Sequence, residues 1–171
     1  MLRRFESYSP HMGLTQATLC LISQDGKILL GMKRKDLFGG GKYNGPGGKV
    51  NPGETLEQAA VRELREESGL QAELQDLNKV GELTFYFPEG QEKYNQTVHV
   101  YQVSKWHGEL GNSDEMIWNW FSHQAIPYHQ MWDSDKHFLP LILQGKRLKG
   151  TFYFNEDRKV KEKDLREVDS L

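Results

Sequence analysis

The segment from residue 48 to residue 70 constrains the fold of this chain most, because it carries a complete helix signal. Thr55 followed by Gln58 forms a capping box, and Gly69 supplies a left-handed stop. The apolar side chains between these ends recur at helical spacing, at Leu56, Ala60, Val61 and Leu64. The sequence therefore predicts an amphipathic helix over residues 55–68 with one stripe in the core.

Three carboxylates lie beside this apolar stripe and not opposite to it. On a helical wheel Glu63, Glu66 and Glu67 occupy one arc of about 100° that adjoins the stripe. Glu63 meets the other two at i+3 and i+4, and each like-charge contact costs about 0.2–0.5 kcal/mol. Arg62 can brace Glu66 but cannot neutralise all three acids. A solvated charged face is the alternative interpretation, but the clustering favours a bound cation, and oxygen ligands suit Mg²⁺ or Mn²⁺.

A glycine-rich loop over residues 35–48 precedes the helix. Gly45, Gly47 and Gly48 lie just upstream of the acids, and backbone without side chains can approach both an ion and a phosphate. Mg²⁺ held by few carboxylates commonly takes water and substrate phosphate oxygens as its other ligands. Such a site would polarise a phosphoryl group, activate a bound water and neutralise a leaving group. The residues thus point to metal-assisted hydrolysis of a phosphoanhydride.

The other predicted elements are strands and one further helix. Asp25-Gly26 between apolar runs predicts a hairpin. Further strands are predicted over residues 81–87, 97–103 and 116–121, and a last hairpin joins 152–154 to 159–168. A second helix is predicted through Gln144, with the side chain of Ser134 or Asp133 as its N-terminal cap. Strands on both sides of one strong helix, with a second helix later, favour an α/β fold with a mixed sheet between helices. We expect a mobile N-terminal arm over residues 1–13 and one domain over 14–171.

Composition excludes several classes of protein. The 171 residues carry a formal net charge of −2, which argues against a basic face that grips polymeric nucleic acid. No apolar run is long enough to span a membrane, and no secretory signal is readable at the start. The single cysteine, Cys20, excludes an internal disulfide and is expected to be a small core residue. We expect a cytoplasmic protein that acts as a monomer.

The segment also matches a known pattern at every fixed position. The match reads Gly48-x5-Glu54-x7-Arg62-Glu63-Leu64-x-Glu66-Glu67-x-Gly69-Leu70. This resembles the signature of the Nudix hydrolase superfamily. The resemblance implies the Nudix fold, an α/β/α sandwich around a mixed sheet with flanking hairpins, and hydrolysis of a nucleoside diphosphate linked to a second group. It also implies metal ligation by Glu63, Glu66, Glu67 and the Gly47 carbonyl, with Arg62 as a brace and Glu54 as a support behind the ligands.

The similarity extends over about residues 15–169 and is strongest to the MutT-homologue branch. The matching stretches lie in the same order along the chain: residues 29–33, 43–45, 113–116, 126–127, 131–132, 138–141 and 165–168. This branch removes oxidised purine nucleoside triphosphates, such as 8-oxo-dGTP, from the nucleotide pool. The resemblance implies that Asn44 and Asp135 bind the base edge and that Thr18 and Lys33 lie near the sugar and base. Three of these residues also have an ordinary interpretation: Asn44 as a turn residue, Asp135 as a first-turn helix acid, Lys33 as a solvated lysine.

A purine needs a flat slot, and four aromatic residues are candidates for its walls. Trp132 could stack on the base, and Phe38 lies in the glycine-rich loop. Phe85 and Phe87 point to one face of their strand because side chains alternate. Ordinary sheet core is the alternative for this pair, and a surface-capping aromatic is the alternative for Trp132.

Ser134 is a departure from the branch, which carries two adjacent acids after its Met-Trp-x stretch. A hydroxyl donates and accepts, but without a charge-assisted bond, so we expect a narrower base preference that retains 8-oxo-dGTP over oxidised adenine nucleotides. Pro46 replaces an aromatic residue usual in the branch. Glu115 is a candidate further metal ligand or general base, or an ordinary acidic loop residue, and the choice between Glu67 and Glu115 as base stays open.

Three functions remain to be distinguished. The leading hypothesis is a Mg²⁺-dependent pyrophosphohydrolase of oxidised purine nucleoside triphosphates. Another modified or normal nucleotide would use the same chemistry. A catalytically silent nucleotide-binding module would have no reason to keep three repelling carboxylates, and a protein-interaction domain predicts no Mg²⁺-dependent phosphate release.

Overall fold

A computed structural model describes residues 13–171, so the mobile arm predicted over residues 1–13 lies, except for Gly13, outside the described residues. The strands are β1 (Thr15–Leu21), β2 (Ser23–Gln24), β3 (Lys27–Lys33), β4 (Tyr43–Asn44), β5 (Leu77–Tyr86), β6 (Gln96–Val103), β7 (Met116–Ser122), β8 (Leu148–Phe154) and β9 (Val160–Glu167). The helices are α1 (Leu56–Ser68) and α2 (Asp135–Leu143). Short 3₁₀ turns lie at Leu74–Asp76, Glu92–Tyr94, His123–Ala125 and Tyr128–Gln130. No helix among these residues is long and apolar enough to cross a membrane.

The strands form two sheets. The larger has the order β1-β6-β5-β8-β9, in which β1 runs parallel to β6 and β5 runs parallel to β8, while the other neighbours are antiparallel. The smaller sheet is built on β3, which pairs with β2, β4 and β7, all antiparallel. The prediction of a mixed sheet between helices is confirmed.

A separate apolar cluster covers each face of the larger sheet. Leu19 and Leu21 of β1 belong to the cluster that contains the α2 residues Phe138, Leu139 and Ile142. Cys20 points the other way, into the cluster that contains Ala60 and Leu64 of α1. Alternation along one strand therefore assigns the two helices to opposite faces.

Helix α1 has the predicted ends. The Thr55 hydroxyl accepts from the Gln58 N–H at 3.1 Å, the Gln58 side chain accepts from the Thr55 N–H at 2.9 Å, and Gly69 is left-handed with φ 79°. Ala60 and Leu64 of the predicted stripe are buried, whereas Leu56 and Val61 are only partly so. Ala59 and Ser68 are also buried, although they are not part of the predicted stripe. Ser68 can be buried because its hydroxyl donates to the Leu64 carbonyl at 2.6 Å.

Other element bounds differ from the sequence prediction in places. Asp25 and Gly26 have φ of 52° and 72°, so the first hairpin turn is confirmed. Strand β5 starts at Leu77, four residues before the predicted start, and an irregularity between Lys79 and Gly81 interrupts its alternation. The predicted side-chain cap of α2 is wrong: the Ser134 side chain caps no helix N–H and donates instead to an Asp135 carboxylate oxygen at 3.2 Å.

Candidate active site

Gly45, Gly47 and Gly48, which we call the glycine strip, lie against the edge strand β1. The Thr18 N–H donates to the Gly48 carbonyl at 2.9 Å and the Cys20 N–H to the Pro46 carbonyl at 2.7 Å. A Cβ on Gly47 would overlap the β1 backbone, and a Cβ on Gly48 would lie 2.6 Å from the Glu63 carboxylate. The peptide of Gly47 is not used by β1, and its N–H donates to Glu67 Oε2 at 3.0 Å. The strip thereby brings bare backbone against the acids of α1.

Arg62 is the hub of the acidic cluster. Its Nε and Nη2 bind the two oxygens of Glu54 at 2.5 and 3.0 Å, and its Nη1 binds Glu63 Oε1 at 2.7 Å and Glu66 Oε2 at 3.2 Å. Nη2 also donates to the Lys49 carbonyl at 3.0 Å. Since one nitrogen holds both Glu63 and Glu66, the guanidinium fixes these carboxylates near each other and offsets part of their repulsion.

Glu67 is the most perturbed acid of the cluster. Burial, together with the charges of Glu63 and Glu115, raises the pKa of its carboxyl to about 7, against the lowering effect of the Gly47 N–H and Lys33. The backbone is fixed as well, because the Trp118 indole N–H donates to the Glu67 carbonyl at 2.9 Å. The side chain is therefore held at the glycine strip in a site that disfavours an uncompensated negative charge.

The acids are suited to a metal ion without forming a ready-made cage. Among residues 13–171, no three His, Cys, Asp or Glu side chains converge as a ligand set. Glu63 and Glu66 are instead paired with Arg62, and Glu67 with the Gly47 N–H. The donor set fits Mg²⁺ or Mn²⁺, because it offers carboxylate and carbonyl oxygens and leaves a buried carboxylate short of positive charge.

A cavity of about 410 Å³ adjoins this strip on the α2 face of the larger sheet. Every substrate-binding residue predicted from the sequence lines it: Thr18, Lys33, Phe38, Asn44, Phe85, Phe87, Trp132, Ser134 and Asp135. Gly47 and Glu115 line it too, although Glu115 is exposed, and the Arg34 N–H donates to the Glu115 carbonyl at 2.8 Å. The structure thus brings the base-binding candidates and the acidic cluster to adjoining regions.

The aromatic residues of the cavity pack on one another. Phe38 lies 5.4 Å from Trp132 between ring centroids, and Phe87 meets Trp132 edge-on at 5.8 Å. Phe85 is stacked on Phe152 at 5.4 Å and is 8 % exposed. Both interpretations of Phe85 and Phe87 therefore hold, since they belong to the core and also form a cavity wall.

Asp135, Ser134 and Asn44 are polar residues of the cavity lining. Burial raises the pKa of the Asp135 carboxyl to about 7, although Ser134 and Lys42 lower it. Asn44 Oδ1 accepts from the Gly45 N–H at 2.9 Å, so part of the amide stabilises the turn. A carboxyl that is easily neutral at physiological pH can donate as well as accept a hydrogen bond.

Among the cavity residues that sequence reasoning missed, three make ring or side-chain hydrogen-bond contacts in the lining: Lys42, Tyr94 and Asn95. Lys42 places its ammonium 5.5 Å from the centre of the Trp132 ring. Tyr94 stacks on Phe38 at 3.8 Å, and the buried Asn95 accepts from the Phe87 N–H at 2.7 Å through its side chain. Tyr94 and Asn95 lie at an irregular turn before β6, where no periodicity marks them. The expectation for Cys20 is confirmed: it is fully buried, and burial raises its pKa to about 12.

Comparison with known proteins agrees with this arrangement. The model of the NUDIX domain matches residues 13–142, and the chain belongs to this family of hydrolases and has its fold. It is 46% identical over 154 residues to the oxidized purine nucleoside triphosphate hydrolase of Danio rerio, covering 90% of this chain and 96% of that protein. The Mus musculus protein of the same name is 42% identical over the same shares of the two chains. The crystal structure of a MutT protein from Bacillus halodurans superposes with a TM-score of 0.77 at 24% identity, over 89% of this chain and 97% of that one, and shows the fold.

Proposed function

We propose that this chain is a Mg²⁺-dependent pyrophosphohydrolase that cleaves oxidised purine nucleoside triphosphates, 8-oxo-dGTP in particular, to the monophosphate and pyrophosphate. One observation carries the proposal. A purine-sized cavity, lined by aromatic rings and a buried carboxyl, adjoins both the glycine strip and the three acids of α1. The names of the Danio rerio and Mus musculus relatives, whose alignments cover 90% of this chain, support it.

The acidic cluster is the proposed catalytic half of the site. Glu63, Glu66, Glu67 and the Gly47 carbonyl would hold the metal, with Glu115 as a further ligand. The bound metal would supply phosphoryl polarisation and charge neutralisation. Arg62 keeps Glu63 and Glu66 together and is itself held by Glu54, so these two residues position the ligands. Glu67 or Glu115 accepts the proton of the attacking water.

The cavity is the proposed selective half of the site. Trp132 and Phe38 offer ring faces to a purine, and stacking of an aromatic on a base is worth about 1–3 kcal/mol. Asp135 and Ser134 meet the base edge with one carboxyl and one hydroxyl, and Asn44 meets it with its amide. Thr18 and Lys33 line the same cavity, and we assign to them contacts with the sugar and the base edge.

The remaining parts of the proposal concern the protein in the cell. We infer that residues 14–171 act as one domain and as a monomer in the cytoplasm, on free nucleotides and not on polymeric nucleic acid. The role is then to clear oxidised nucleotides before a polymerase incorporates them, which avoids DNA damage.

One experiment tests the proposed function. The protein is incubated with Mg²⁺ and a panel of normal, methylated and oxidised nucleoside triphosphates, and the products are separated by chromatography. We expect pyrophosphate and monophosphate, fastest with 8-oxo-dGTP, and no reaction in excess EDTA. Faster cleavage of another nucleotide would identify that nucleotide as the preferred substrate of the same reaction. Tight binding without product would show a catalytically silent nucleotide-binding module. If the protein neither binds nor cleaves any of these nucleotides, the result favours a protein-interaction domain.

A further inference from the structure

Three aromatic side chains form one side of the cavity, which we call the aromatic wall: Phe38, Tyr94 and Trp132. Phe38 and Tyr94 are stacked with 3.8 Å between ring centroids and 8° between planes. Trp132 is tilted against Phe38 at 5.4 Å. The three residues come from the glycine-rich loop, from the turn before β6 and from the segment before α2. The wall therefore depends on contacts between segments that are distant in the chain.

A single guanidinium touches all three rings of the wall. Arg158, in the turn between β8 and β9, has its guanidinium carbon 4.8 Å from the centroid of Phe38, 5.5 Å from Tyr94 and 6.0 Å from Trp132. Its Nε also donates to Gln91 Oε1 at 3.4 Å, in the segment that leads to Tyr94. Within the described part of the chain, the cavity lining contains the three rings but not Arg158, so the guanidinium supports the wall from outside.

The backbone of Arg158 shows that its turn is not optimised for its own stability. The φ of Arg158 is 59°, a left-handed conformation that is strained for a residue with a Cβ and free of strain for Gly. Asn155 organises the turn by accepting from the N–H groups of Asp157 and Lys159, at 3.0 and 2.9 Å. A turn of this kind needs no arginine, whereas the half-buried side chain of Arg158 packs on the wall.

The turn is also tied to the segment that carries Trp132. Asp133 follows Trp132 directly in the sequence, and its Oδ2 accepts a hydrogen bond from the Val160 N–H at 2.8 Å. The Lys159 ammonium also lies 3.9 Å from Asp133 Oδ1, so this ion pair, the hydrogen bond and the guanidinium all join the end of the β8–β9 hairpin to the segment before α2. Of these contacts, that of the guanidinium is the one that reaches Phe38 in the glycine-rich loop.

We propose that Arg158 is a positioning residue that holds the aromatic wall in place for purine stacking and so sets nucleotide affinity, without a part in bond cleavage. The inference rests on the proposed function in one respect, that a purine occupies the cavity. Arg158 contacts none of the acids of α1, so its loss should leave the chemical step intact and weaken base binding.

The test uses substitutions that separate support of the wall from stability of the turn. Arg158→Gly removes the guanidinium and relieves the backbone strain, and Arg158→Lys keeps a cation without the planar stack. Asp25→Gly is the matched control, because Asp25 is exposed, has a left-handed φ of 52° and lies in the turn between β2 and β3, outside the cavity lining. Three quantities are measured for each protein. Binding of 8-oxo-dGMP and of dGMP is measured by calorimetry in EDTA, and kcat and KM are measured with 8-oxo-dGTP. Hydrogen exchange of residues 34–42 is measured in the free protein.

We expect Arg158→Gly to weaken monophosphate binding by about threefold to tenfold, as a lost cation–π contact would, and to raise KM with kcat within about twofold. Residues 34–42 should exchange faster, thermal stability should not fall, and Arg158→Lys should restore part of the affinity. Unchanged affinity with unchanged exchange, a fall in kcat at constant KM, or equal effects of Asp25→Gly would overturn the proposal. If wild type neither cleaves 8-oxo-dGTP nor binds either monophosphate, the proposed function fails, and faster exchange of residues 34–42 in Arg158→Gly still decides whether Arg158 holds the wall.

Discussion

Replacing Asp135 by Asn should make the protein more stable at alkaline pH and at the same time a poorer nucleotide hydrolase. Asp135 is 6 % exposed, and burial raises its pKa from 3.8 to about 7. Between these values the folded protein keeps a proton that the unfolded chain has lost, so stability falls as pH rises through this window. At 1.36 kcal/mol per pKa unit, the cost is about 2 kcal/mol at pH 5 and about 4 kcal/mol at pH 8.

The measurement is urea unfolding of wild type and Asp135→Asn at both pH values. The free energy of unfolding of the variant relative to wild type should rise by about 2–3 kcal/mol from pH 5 to pH 8, because Asn carries no titrating proton. Asp133→Asn is the matched control. Burial acts to raise the pKa of Asp133, but hydrogen bonds from Lys136 and the Val160 N–H outweigh it and lower this pKa, so the contribution of the Asp133 charge to stability is already complete at pH 5. The free energy of unfolding of Asp133→Asn relative to wild type should therefore not change between pH 5 and pH 8.

Activity gives the second half of this prediction. An amide at position 135 replaces one acceptor oxygen by a donor, and a lost hydrogen bond to a charged group costs about 1.5–3 kcal/mol. We therefore expect kcat/KM for 8-oxo-dGTP to fall by about tenfold to a hundredfold. A stability difference for Asp135→Asn that does not grow with pH would refute the reasoning, since the carboxyl would then not be buried as the structure shows.

Three further predictions concern the acids, the glycine strip and the base edge. Glu67→Gln keeps an oxygen for the Gly47 N–H and removes a buried charge, so the urea midpoint should not fall, whereas turnover should fall at least about a hundredfold because a carboxylate is lost; an unaltered kcat would contradict the proposed metal site. Gly48→Ala places a Cβ 2.6 Å from the Glu63 carboxylate and should lower turnover about tenfold, whereas Gly13→Ala, with open space around it, should change nothing in the same assay. Wild type should prefer 8-oxo-dGTP to 2-oxo-dATP in kcat/KM, and Ser134→Asp should narrow the difference; equal values in wild type would remove Ser134 as the cause.

The parts of the molecule that follow from sequence are those set by local rules. The ends of α1 come from Thr55, Gln58 and Gly69, whose capping and left-handed conformations need no tertiary contact. The hairpin at Asp25 follows from turn chemistry in the same way. The start of β5 does not, because its polar residues and the irregularity before Gly81 break the alternation on which the prediction depends.

The side-chain environment of the site could not be predicted in the same way. Ser134 is a good capping residue by type, yet the burial of its neighbour draws its hydroxyl to the Asp135 carboxyl. Lys42, Tyr94 and Arg158 gain their roles from ring contacts between distant segments, and such contacts leave no periodic trace. Proximity in sequence suggested the acids and the glycine strip, whereas the wall of the cavity needed the fold.

The two helices on opposite faces of the larger sheet have an evolutionary consequence. Glu63, Glu66 and Glu67 belong to α1, Ser134 and Asp135 lie at the start of α2, and bare glycine backbone lies against β1 between the two faces. Substitutions on the α2 side can accumulate without touching any residue of α1. A lineage with this architecture can diversify the bases it accepts while its chemistry stays under separate selection.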